Sequence, residues 1–124
     1  MVDNVADRSP SGLTLHLVPE PVWRAQADAQ EYRPEAFAEE GFVHCTDGEA
    51  LLIEVANRYY RADPRPFLAL DVDLARIAAR AVYEDAEQRY PHIYGPIERE
   101  AVVRVRRMER ADDGAFTSIG ESLA

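Results

Sequence analysis

The chain contains no lysine. All 14 of its basic residues are arginine, and 23 acidic residues outnumber them, for a formal net charge of −9 over 124 residues. A chain this acidic repels nucleic-acid phosphates, which argues against non-specific binding to DNA or RNA. The arginine bias fits a GC-rich genome first of all. It also leaves the planar guanidinium fork, suited to phosphate and carboxylate, as the only lysine-or-arginine cation on hand. Cysteine is nearly absent: Cys45 stands alone, so no internal disulfide forms. No apolar run approaches the roughly 20 residues of a membrane span. The opening MVDNVADRSP lacks the basic start and apolar stretch of a secretory signal. These absences lead us to expect a cytoplasmic protein with no membrane partner.

What is present is ordinary globular material, 47% apolar and 30% charged, enough for one domain with its own core. We expect a flexible arm over 1–11, a single α+β domain over 12–111 and a C-terminal tail over 112–124. LTLHLV (13–18) alternates as a strand, with Leu13, Leu15 and Leu17 on one face and Thr14, His16 and Val18 on the other. Residues 19–30 read as a helix with its prolines at the start. FVHC (42–45) reads as a short strand. Thr46 and Glu49 are spaced as a capping box, opening a helix with Leu52, Val55, Ala56 and Tyr59 on one stripe. PFLALDVD (66–73) reads as a central strand, 79–85 as a weaker one and 101–110 as an alternating one. RYPHIYGPIERE (89–100) reads as a stiff loop, because Pro91, Gly95 and Pro96 shape it around His92.

The chemistry-bearing residues are few. His16 and His44 each sit mid-strand, opposite the main apolar row, and His92 is held by its shaped segment. Convergence of the three on one cleft would make a site; taken singly, each is more readily a structural histidine. The spacings of 28 and 48 residues between them contain no paired-ligand pattern, so a metal site is not expected. His44 and Cys45 point to opposite faces of a strand, so they make no nucleophile–base pair, and Cys45 reads as a small core residue. Arg58 and Arg61 share a helix face, flanked by Asn57 and Tyr60. They serve the helix dipole, or recognise phosphate or carboxylate.

Read together, LHLVP (15–19), EYRP (31–34), GFVHCT (41–46), ANRYY (56–60), PHIYGPI (91–97) and AVVRV (101–105) resemble the mainly bacterial family called domain of unknown function 952. The resemblance implies an ADP-ribosyltransferase-like fold: split small sheets, with helices packed around a central cleft. His16 resembles the first-strand histidine of poly-ADP-ribose polymerases. GFVHC followed by VANRYY resembles their second motif, with His44 near the ring-stacking position. Their catalytic glutamate has no counterpart in RYPHIYGPI, where Tyr90 and His92 stand instead, and Glu84 and Glu87 fall outside the motif.

The implied cleft carries His16, His44 and His92 as catalytic candidates. Arg58, Tyr60, Tyr94 and Thr46 are its candidate ligand contacts. The expected ligand is a nucleotide-like or phosphorylated small molecule, an NAD-like nucleotide among them, to be bound and then transferred or hydrolysed. Two other readings stand beside it: a histidine acid/base enzyme acting on a different metabolite, such as a tailoring enzyme or isomerase, and a non-catalytic binding module.

Overall fold

The computed structural model describes residues 10–123. The expected N-terminal arm, apart from its last two residues, lies outside the described residues. In chain order the elements are β1 (Leu13–Pro19), α1 (Glu20–Arg24), β2 (Glu31–Tyr32), α2 (Phe37–Glu40), β3 (Val43–His44), α3 (Glu49–Tyr60), β4 (Phe67–Asp73), β5 (Ala81–Tyr83), β6 (Pro91–Ile93), β7 (Ile97–Glu98), β8 (Val102–Arg110) and β9 (Phe116–Ser122). Three antiparallel sheets result, ordered β1-β4-β8-β9, β3-β6-β5 and β2-β7. The fold is therefore α+β. No helix among the described residues is long and apolar enough to cross a membrane.

β4 is buried on both faces of the large sheet, which is why its sequence is almost continuously apolar. Phe67 and Ala69 face α3, packing with Leu15, Leu52, Ala56, Met108 and Phe116. Leu68, Leu70 and Val72 face the other way, into a second core with Val18, Tyr32, Val43, Ile93 and Ile97. Each fully buried side chain of this size contributes roughly 1.5–3 kcal/mol. Asp71 is the polar exception on the α3 side, only 3% exposed. A buried carboxylate must be paired, and it accepts from Arg104 Nη2 at 2.9 Å and Arg106 Nη2 at 3.0 Å. Arg106 continues to Glu49 at 2.8 Å, tying the sheet to the N-terminal turn of α3.

Four expectations change. The tail over 112–124 contains β9, and Phe116 is buried against Phe67 with ring centroids 5.6 Å apart. Asn57 holds β9 to α3 by bonding both backbone groups of Phe116, at 2.9 and 2.7 Å. The alternation in AFTSIGES is weak, with serine and glycine inside it, so only the tertiary contacts select the strand. The first helix ends at Arg24 and continues only as turns. Thr46 does not cap α3: Gly48 holds the N-cap position at φ 103°, and Thr46 pairs through its backbone with Leu15. The stiff loop around His92 is β6, the middle strand of its sheet. Pro91 is tolerated because it opens the strand.

The burial of Phe116 makes the β9 assignment testable. Phe116→Ala should cost about 3–5 kcal/mol, as a large core truncation does. Urea unfolding of parent and variant measures it, and equal midpoints would return the segment to a dispensable tail.

Candidate functional site

Edge strand β1 brings the two halves of the molecule together. Leu15 spends its N–H and C=O on Thr46, at 3.0 and 2.8 Å, just after β3. The small sheet β3-β6-β5 is thereby joined to the edge of the large one, with α3 alongside. A groove of about 1140 Å³ opens between α3 and the small sheet. Glu54, Val55, Arg58 and Tyr59 line it from α3, and His44, Glu84 and His92 from the small sheet. A smaller hollow of about 300 Å³ adjoins it, sharing Glu40, His44, Thr46, Val55 and Tyr60 with the groove. Leu17, two residues along the same edge from Leu15, lines this hollow. Its N–H and C=O point to the same side as those of Leu15, and no hydrogen bond occupies them among the described residues.

His44 and His92 are direct cross-strand partners in β3 and β6. Their ring centroids lie 5.3 Å apart, nearly perpendicular. Phe42, two residues before His44 and so on the same face, stacks on His92 at 4.2 Å. Each imidazole has its own carboxylate. Glu84 Oε1 accepts from His92 Nδ1 at 2.8 Å, and the same oxygen accepts from the Tyr94 hydroxyl. Glu40 Oε1 lies 3.0 Å from His44 Nε2. Those hydrogen bonds, from Tyr94 first and His92 second, hold the Glu84 carboxyl below its usual range and push the Tyr94 hydroxyl up. Gly95 permits the tight turn after Tyr94, since a Cβ there would sit 2.6 Å from that of Ala79.

His16 behaves differently. Its expected face, opposite Leu15, turns out to be core as well, because β1 is covered on both sides. The imidazole is 5% exposed and floors the smaller hollow. Nδ1 donates to the His44 carbonyl at 2.7 Å and Nε2 accepts from the Tyr32 hydroxyl at 2.9 Å. With both nitrogens engaged, and burial lowering its pKa to about 4, His16 is a neutral strut that fixes the backbone of β3. The expectation that it works as an acid or base in an open cleft is corrected accordingly.

Among the other expected residues, Arg58 lines the groove and has no ion-pair partner among the described residues; its guanidinium lies 5.9 Å from the Tyr59 ring centroid. Arg61 turns away to Asp113 at 2.7 Å. Tyr60 packs on Phe67 at the junction of groove and hollow, and burial raises its hydroxyl pKa. Thr46 is buried at the same junction. Tyr94 is partly exposed and reaches the site through Glu84. Cys45 is buried and its thiol is pushed up by desolvation, consistent with a core residue. Glu40 escaped the sequence reading, and Glu84 was set aside there as lying outside the motif. Only the register of β5 against β6, which sets Val82 opposite His92, carries Glu84 to the imidazole.

The family described as protein of unknown function (DUF952) matches residues 17–105. No curated protein matches the chain. Among solved structures, the crystal structure of protein CC0527 from Caulobacter crescentus is similar over 85% of this chain and 93% of that one, at 21% identity and TM-score 0.66. A double mutant of CC0527 gives the same values. The solution structure of CC0527 covers 85% and 91%, at 20% identity and TM-score 0.63. At these identities the likeness is one of fold.

The buried neutral His16 sets a pH dependence. Its folded pKa lies below its unfolded value of 6.5, so the unfolded state binds the proton first. Its contribution is complete above pH 6.5 and is lost as the pH falls toward 4. The loss should reach about 3 kcal/mol, since each pH step of one between the two values is worth about 1.36 kcal/mol. Urea unfolding at stepped pH values measures it. His16→Gln, which cannot titrate, should be flatter across that window. A parent equally flat would show that His16 is not held neutral.

Proposed function

The chain belongs to the DUF952 family of proteins of unknown function, and we propose that its groove binds a nucleotide-like or phosphorylated small molecule. The observation that carries this is Arg58, a groove-lining guanidinium with no ion-pair partner among the described residues. An unpaired arginine fork facing a cavity is suited to bidentate phosphate recognition. It lies in the last turn of α3, where the helix dipole favours a cation before any ligand arrives.

Two further features support an ADP-ribosyltransferase-like arrangement. The outer edge of β1 offers a backbone donor and acceptor side by side at Leu17, a pattern that a planar amide would match. Tyr59 and Tyr60 offer aromatic surface along the groove. In this reading Arg58 takes phosphate and the edge of β1 with Tyr60 seats a flat polar ring. His92 serves as acid or base for transfer or hydrolysis. A second reading, histidine acid/base chemistry on an uncharged or cationic metabolite, draws on the remaining charge. Glu40, Glu54, Glu84 and Asp85 also line the groove and oppose the single Arg58.

Thermal-shift titrations separate the two. NAD, ADP-ribose and ATP should raise the melting temperature, since a ligand at 100 times its Kd stabilises the native state by about 2.7 kcal/mol. Arg58→Ala should weaken phosphate-bearing ligands by about 1.5–3 kcal/mol, the scale of a hydrogen bond to a charged group. No stabilisation by phosphate compounds, with a response to an amine or neutral metabolite, would favour the second reading.

A further inference from the structure

We infer that Glu84, backed by Tyr94, is the positioning residue that makes the Nε2 atom of His92 the proton acceptor of the groove. This rests on the groove being a reaction site, as proposed above. An ionised carboxylate only accepts hydrogen bonds, so the nitrogen it faces must carry the proton. Glu84 faces Nδ1 of His92 at 2.8 Å. The neutral ring is therefore the Nδ1–H tautomer, with its lone pair on Nε2. That nitrogen has no hydrogen-bond partner among the described residues, and the ring lines the groove.

The neighbouring pair is built the other way round. Glu40 faces Nε2 of His44 at 3.0 Å, which puts the lone pair of that ring on Nδ1. Two imidazoles in one groove are thus held in opposite tautomers by two carboxylates. His92 is the better fixed of the two. Its side chain is 21% exposed against 59% for His44. Phe42 stacks on its face with planes 25° apart, and Tyr94 steadies the carboxylate behind it. Such a carboxylate–imidazole arrangement orients the ring and stabilises the charge that develops on it.

The chemistry this serves is activation of a hydroxyl or of water. The proton of the bound O–H passes to Nε2 and the electron pair of that bond stays on the oxygen. The positive charge left on the ring lies against Glu84.

Proton–nitrogen correlation spectra of histidine-labelled protein test this without any substrate. His92 should show the Nδ1–H tautomer and His44 the Nε2–H tautomer. Glu84→Ala should return His92 to the Nε2–H form and leave His44 unchanged. Acylation of His92 by diethylpyrocarbonate, followed by peptide mass spectrometry, should slow about tenfold in that variant. Tenfold corresponds to about 1.4 kcal/mol, near the lower end for a hydrogen bond to a charged group. An Nε2–H tautomer at His92 in the parent would overturn the inference, as would a Glu84→Ala protein with unaltered tautomer and acylation rate. If Glu84→Ala fails to fold, Glu84→Gln and Tyr94→Phe provide the same readings with size preserved, and a slower acylation is expected in both. Loss of phosphate-ligand binding with the tautomers intact would count against the proposed ligand class alone.

Discussion

The free edge of β1 is the constraint on which the rest of the structure depends. One side of this strand is fully paired with β4. The other side would be an unprotected edge, exposing backbone groups that must find partners or water. The protein resolves this unevenly. Leu15 is paired with Thr46 and the His16 side chain takes the His44 carbonyl. Leu17 is left facing a hollow. Pairing at one point, where a continuous ladder would have closed the gap, keeps the small sheet near the large one yet splayed from it. The smaller hollow is the space that remains, and the groove between α3 and the small sheet adjoins it.

That arrangement divides the histidines by what surrounds them. His16 lies under the junction, where desolvation outweighs everything else and a charge is not tolerated. His44 and His92 lie on the outer face of the small sheet, where each can keep a carboxylate partner and a free nitrogen. The polar groups thus fall into two sets. The buried set, His16 with Tyr32 and Asp71 with Arg106, is paired with protein atoms, the buried Nε of Arg106 excepted, and holds elements in register. The groove set, with Arg58 and the two imidazoles, keeps bonding capacity unused. Unused capacity at a concave surface is what a ligand requires.

The same division explains what could be read from the chain. The α+β class, the strands near 13–18, 66–73 and 101–110, and the helix after Gly48 were legible because apolar periodicity reports local burial. Its limit appears at β1, where alternation suggests one buried face and the structure covers both. The capping box failed for a related reason: Thr46 has the right spacing, but its backbone is committed to Leu15 and a glycine at positive φ starts the helix. β6 was hidden because prolines and a glycine in a short span look like a loop. In fact Pro91 only opens the strand and Gly95 only turns out of it.

The sequence by itself determined the composition of the site: few histidines, one set of arginine cations, an acidic balance, and strands and a helix that place His44 and Arg58 close along the chain. Those properties are local, fixed by residue type and period. Tertiary structure alone decided which histidine is buried, which arginine stays unpaired, and which glutamate meets His92. Each depends on long-range register: β1 against Thr46, α3 against Asp113, β5 against β6. A one-residue slip in either strand pairing turns a side chain to the opposite face. Local periodicity carries no information about which register the packed core will select.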